Sequence, residues 1–164
     1  MVQMATRKGR KAKAGKRPAG KTPAVRPSTE FERLTVARFM EHDVQSAHAR
    51  TKADVIASMM IEGFGSVPIV DNKQRLIGVV SEYDLLASLK LGHKWSDVAA
   101  GDIMAPNPYS IRPETNVATL VEVLLKSDLV RAPVVDKDNT LVGIVARRDI
   151  LRAYLNYGAD RMMP

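Results

Sequence analysis

The chain contains no cysteine, and its 164 residues include only three Phe, four Tyr and one Trp. Without cysteine there is no disulfide framework and no thiolate metal site, a composition compatible with the cytoplasm. No apolar run approaches the roughly 20 residues that a membrane span needs. The first 29 residues have no acid, no Leu, no Ile and no aromatic. They lack the apolar core of roughly 7–15 residues that defines a secretory signal. They also cannot bury enough apolar surface to offset the entropy of ordering, so residues 1–29 are expected to form a disordered tail. GxGxxG and GxSxG spacings are missing, and His42, His48 and His93 show no metal-ligand spacing. No nucleophile–base pair stands out, so neither a metal nor a reaction is expected.

What is present is an uneven charge. The chain carries 25 Lys and Arg against 18 Asp and Glu, formally +7. Nine of the cations (Arg7, Lys8, Arg10, Lys11, Lys13, Lys16, Arg17, Lys21, Arg26) lie in the tail. The body that follows has 16 basic and 18 acidic residues, so the positive charge belongs to the tail alone. Such a tail can neutralise nucleic-acid phosphates, or it can simply solvate the chain. Its "GKRPAG" lacks the Arg-Gly-Arg-Pro order of minor-groove hooks, and without an apolar face it cannot insert into a bilayer.

The body is written twice. Thr29 and Glu32 have capping-box spacing, so a helix is expected near Glu30, with Phe31, Leu34, Ala37 and Phe39 on its apolar side. "VQSAHA" reads as a short strand. "KADVIASMMIEG" reads as a helix with Val55, Ile56, Met59 and Met60 inward and Gly63 as its C-terminal cap. Strands "SVPIV" and "RLIGVV" flank the turn "DNKQ", and helix "SEYDLLASLK" follows. The second half repeats this order: a short helix "VAAGDIM", a strand "PYSI", and a helix with Val117, Leu120, Val121, Leu124 and Leu125 inward. Then come "RAPVV", "DKDN", "TLVGIV" and "RRDILRAYL". Pro68, Asp71, Gly78 and Asp84 return 65 residues later as Pro133, Asp136, Gly143 and Asp149. Met40 and Met104 stand 64 apart, so one residue was gained or lost between them. The expected fold is α/β, two β-α-β-β-α repeats packed with pseudo-two-fold symmetry behind the basic tail.

Each strand-to-helix junction suits an anion, because the backbone N–H groups at a helix start have no helical partner. Ser81 adds a hydroxyl, and Asp84 one turn on can accept from two vicinal ribose hydroxyls. The same pair also has capping-box spacing, which explains it without a ligand. Gly78 and Gly143 leave room for a flat base or for a neighbouring backbone. At the second junction Ala146 replaces the serine while Asp149 remains, which makes Ser81 and Asp84 the fuller set. Arg147 and Arg148 can restore charge there, and Arg131 ahead of "APVV" is the better placed cation. Trp95, between the repeats, is expected to pack.

The pattern "P(V/I)VD…LxGVVSxxDLL", read twice, resembles a tandem pair of cystathionine β-synthase (CBS) domains, a Bateman module. The resemblance covers about residues 36–157. It divides the chain into a tail (1–29), a first repeat with its leading helix (30–92) and a second repeat (93–160). It implies a non-catalytic regulatory sensor that needs no cofactor and signals to a partner. The regulatory ligand would be an adenosine-containing molecule: AMP, ADP, ATP or S-adenosylmethionine, bound in clefts between the repeats. It also implies a homodimer. It carries over phosphate and ribose contacts to Ser81, Asp84 and Asp149. A basic residue at the place of Arg131 faces phosphates in the nucleotide-sensing subunit of AMP-activated protein kinase. Backbone near Ser66 and Val67 and near Val130 and Ala132 would meet the base, with Val44 and Pro108 as walls. An alternative use of the same fold is a dimerisation scaffold whose tail binds nucleic acid. On that alternative, deleting residues 1–29 abolishes nucleic-acid binding in a filter or anisotropy assay. Binding by the whole chain should weaken steeply between low and moderate salt, and retention after deletion would remove the tail from the account.

Overall fold

The computed structural model describes residues 29–63 and 65–158, so the expectation of a disordered tail falls almost wholly outside the described residues. The side chain of Thr29, proposed as a cap, also lies outside them. The first repeat comprises α1 (Thr29–Arg33), a 3-10 turn (Val36–Arg38), β1 (Ala47–His48), α2 (Ala53–Ile61), β2 (Ser66–Val70), β3 (Leu76–Ser81) and α3 (Glu82–Lys90). The second comprises α4 (Ala100–Ile103), β4 (Ala105–Pro106), α5 (Val117–Lys126), β5 (Arg131–Val135), β6 (Leu141–Ala146) and α6 (Arg147–Ala153), closed by a wide helical turn (Tyr154–Gly158). The expected strand in "PYSI" contracts to one residue. Only Ile111 pairs, donating to the Pro133 carbonyl and accepting from the Val135 N–H, both at 2.9 Å. Pro108 has no N–H to extend the ladder. The cap at Gly63 is present, with φ +115, a value that favours glycine. Two residues assigned inward point out: Val55 and Leu125 are exposed, because each helix buries a narrower stripe than its composition suggests.

The sheet of the first repeat runs β1-β2-β3-β4, with β1 parallel to β2 and the other pairs antiparallel. Its last strand, β4, comes from the segment that leads into the second repeat. The second repeat mirrors this. Beside the β5–β6 hairpin, Ile111 takes the place of β1 and Glu41 bridges Ile144 in the place of β4. The same exchange recurs in backbone pairs that map onto each other by the repeat offset. Val36 N–H donates to Thr115 while Ala100 N–H donates to Thr51. Val117 N–H donates to Leu34 while Ala53 N–H donates to Val98. At the centre Arg75 bridges Thr140, its own counterpart.

The cores follow the exchange. Ile56, Val67, Ile69, Val80 and Leu85 of the first repeat enclose Ala100 from the second. Leu120, Leu124, Val134 and Val145 enclose Val36 from the first. Full burial of each such side chain contributes about 1.5–3 kcal/mol, and neither core is complete without its visitor. A third cluster ties Phe31 of α1 to Val117 and Ala153, and the Phe31 ring meets Tyr154 edge-on at 5.2 Å.

Two repeated landmarks serve the hairpins. Asp71 accepts from the N–H groups of Lys73 and Arg75 at 2.8 and 2.9 Å, and Asp136 accepts from those of Asp138 and Thr140, both at 2.9 Å. Both carboxyls are held below their ordinary value, Asp71 chiefly by the Arg75 backbone and guanidinium, Asp136 chiefly by the Thr140 backbone. A lowered folded pKa stabilises the fold above the ordinary carboxyl value, and that support is lost as pH falls through the folded value.

The repeated glycines make room for the exchanged segments. A Cβ at Gly143 would lie 2.7 Å from Met40 Sδ and 3.0 Å from the Glu41 carbonyl oxygen, and one at Gly78 would collide with Met104. Gly143→Ala is expected to lower stability by about 1–3 kcal/mol in urea denaturation. Met40→Ala should recover only part of the loss, since the Glu41 carbonyl remains. An unchanged midpoint in Gly143→Ala would contradict this packing.

Candidate functional site

The cleft between the repeats is built on the junction of β6 and α6. Ala146 ends the strand, and its N–H donates to Asp149 Oδ2 at 2.7 Å. This contact turns the carboxylate back over the start of α6. Its side chain is 12% exposed, and among the described residues Oδ1 meets only Arg152, at 3.5 Å. Asp149 is therefore oriented by one oxygen and left with acceptor capacity on the other. Around it lies a cavity of about 300 Å³, at the lower end of the range of roughly 300–1,000 Å³ typical for small-molecule sites. Glu41, Asp43, Val44, Gln45, Ser66 and Pro68 line it from the first repeat, and Arg131, Ile144, Ala146, Arg148, Asp149 and Arg152 from the second. Three guanidinium groups and three carboxylates thus share one opening with Val44, Pro68 and Ile144. Arginine forks fit phosphate or carboxylate oxygens, the carboxylates accept from hydroxyl or amino groups, and the apolar wall suits a ring.

Val44, Ser66, Arg131, Arg148 and Asp149 of the sequence candidates meet in this cavity. Arg131 also donates to the Gly63 carbonyl at 3.1 Å, which joins the two repeats across the cleft. The other candidates stand elsewhere. Asp84 Oδ2 accepts from the Ser81 N–H at 2.8 Å and from its hydroxyl at 2.6 Å, and Ser81 Oγ accepts from the Asp84 N–H at 3.4 Å. This is the capping arrangement its spacing allows. Val67 and Ala132 are buried, so only their backbone can face a ligand. Val130 is exposed, and Pro108 is the counterpart of Val44 on the other side of the pseudo-two-fold axis. Gly78 and Gly143 correct the idea of a base resting on the glycine: Met104 and Met40 fill that space. Arg147 binds the end of α5 rather than the cavity. It donates to the carbonyls of Leu129 and Leu124 and to the Asp128 carboxylate, at 2.7, 3.3 and 3.0 Å.

Sequence reasoning missed Glu41, Asp43, Gln45, Pro68, Ile144 and Arg152. Arg152 was findable, four residues beyond Arg148 and so on the same face of α6. Glu41 and Asp43 were not, because their place depends on the strand exchange. Trp95 packs on the first core as expected, but its buried indole N–H has no hydrogen-bond partner among the described residues. His48 Nδ1–H donates to the Val70 carbonyl at 3.1 Å. The described residues contain no cluster of three or more potential metal ligands among His, Asp and Glu, and no helix long and apolar enough to cross a membrane. One spacing passed over in the sequence lies outside the described residues: Gly15, Gly20, Lys21 and Thr22 fit the phosphate-loop pattern G-x4-G-K-T. That pattern needs an apolar strand before it, and residues 1–14 supply none.

Comparison with known proteins identifies the family. The model of the CBS domain matches residues 36–91 and 100–156, and the chain belongs to that family. The chloroplastic CBS domain-containing protein CBSX1 of Arabidopsis thaliana is 30% identical over 151 residues, covering 74% of this chain and 64% of its own. This chain therefore spans a little under two thirds of that relative. CBSX2, solved in complex with AMP, superposes with a TM-score of 0.68 at 35% identity, over 75% of this chain and 97% of the solved one. The CBS domain pair of protein MJ0100, in complex with 5′-methylthioadenosine and S-adenosyl-L-methionine, superposes with a TM-score of 0.67 over 75% and 97%. At 24% identity it speaks for the fold alone.

Proposed function

We propose that this protein is a regulatory sensor. It binds an adenosine-containing ligand, of the class of AMP, ADP, ATP or S-adenosylmethionine, between its two CBS repeats and signals to a partner. The observation that carries the reading is the inter-repeat cavity in which Arg131 and Asp149 of the second repeat face Val44 and Ser66 of the first. A ribose suits Asp149 Oδ1, which keeps acceptor capacity beside Arg152, an anionic group suits the arginines, and a purine suits the apolar wall. The AMP complex of CBSX2, at 35% identity, supports the ligand class. No reaction is assigned, because the cavity holds no nucleophile paired with a base. We further propose that the chain works as a homodimer in the cytoplasm. Leu86 and Leu89 of α3 and Leu151 of α6, with Leu155 beyond it, are exposed and apolar, which is the surface a second copy would cover.

Ligand changes the balance of two repeat arrangements only by its difference in affinity for them. The cavity walls come from both repeats, so any change in their separation alters that affinity. The scaffold alternative, with the tail on nucleic acid, rests on the nine tail cations and the same apolar helices. Titration calorimetry of protein stripped of co-purified ligand separates the two. Saturable binding of an adenosine nucleotide is expected, and Asp149→Ala should weaken it about ten- to a hundredfold, the equivalent of roughly 1.5–3 kcal/mol for charged hydrogen bonds. Asp84→Ala should cost less, since Asp84 does not line this cavity. No binding by any of the four ligands would leave the scaffold reading in possession.

A further inference from the structure

The two strand-to-helix junctions are not chemically equivalent, although both end a strand in a helix whose third residue is aspartate. Applying the repeat offset of 65, Arg148 corresponds to Tyr83 and Arg152 to Ala87. Both arginines line the cavity at Asp149. Arg148 has no hydrogen-bond or ion-pair partner among the described residues, and Arg152 has only the 3.5 Å approach to Asp149. The cavity is no general anion trap, because Glu41 and Asp43 bring negative charge into it from the leading segment. Preference for an anion must then come from directed contacts, and an arginine fork supplies them. Ala146 offers no hydroxyl to a phosphate, which leaves α6 as the part of this junction able to contribute such contacts. At the other junction the hydroxyl of Ser81 is committed to Asp84 at 2.6 Å, and α3 has no cation at either matching position.

We propose that Arg148 and Arg152 select phosphorylated adenosine ligands over unphosphorylated ones, and that this selection confines such ligands to one cleft per chain. The inference rests on the adenosine-ligand reading and deepens it. It reverses the ranking of the two junctions drawn from the serine alone: the junction without the hydroxyl is the phosphate site.

Calorimetry with AMP and adenosine on the full chain tests it. The wild type should bind one AMP per chain and prefer AMP to adenosine by at least about tenfold. The double variant R148A/R152A should lose most of that preference, its affinity for AMP falling much further than its affinity for adenosine. Both side chains are exposed, and circular dichroism checks that the variant is folded. R148K/R152K, which keeps the charge, should retain part of the preference. In the converse variant Y83R/A87R, AMP stoichiometry should rise towards two. Equal affinity for AMP and adenosine in the wild type would overturn the inference while leaving the adenosine site standing. So would two AMP per wild-type chain, or a preference undiminished in R148A/R152A. Failure of both ligands to bind the wild type would overturn the inference together with the reading beneath it.

Discussion

The structure depends on the exchange of two short leading segments between the repeats. Glu41 pairs with Ile144, and Ala105 pairs with Val79. Each pairing completes a sheet that its own repeat leaves open, and each drives one residue, Val36 or Ala100, into the opposite core. The glycines at 78 and 143 permit the approach by leaving space for a methionine. The cavity follows from the same constraint, because the segment that pairs with β6 also carries Glu41, Asp43 and Val44 to its wall.

The elements were largely legible in the sequence because their signals are local. Apolar spacing set α2 and α5, Gly63 marked a helix end, and the turns carry Asp71 and Asp136. The repeat was legible because four landmarks return in one order. The strand at residues 108–111 was over-read, since apolar composition does not reveal that Pro108 cannot donate to a ladder. What the sequence did not disclose was the partner of each segment. Nothing near Met40 says that it lies over Gly143, so the glycines stayed open between a ligand and a neighbour. The same blindness hid Glu41 and Asp43 from the site.

The site teaches a related lesson about motif reading. A serine followed three residues later by an aspartate looks like the stronger binding element, yet here those two groups satisfy each other. Where alanine stands instead, Asp149 spends Oδ2 on the Ala146 N–H, and Oδ1 faces the cavity beside Arg152 at 3.5 Å. A hydroxyl at a helix start is as apt to close a local ring of hydrogen bonds as to greet a ligand. The useful quantity is the acceptor capacity left after the local bonds are made.

The exchange also orders events during synthesis. Domains ordinarily fold as they leave the ribosome, the N-terminal part first. Here the first repeat cannot finish its core until Ala100 has emerged, and Val36 must wait for Leu120, Val134 and Val145, near the far end of the described chain. The nascent first half therefore keeps an unclosed sheet and an unfilled core until residues 100–106 have emerged. Only a segment leading into a second repeat can complete such a half. The same geometry that secures the finished molecule leaves its first half incomplete until the second has begun.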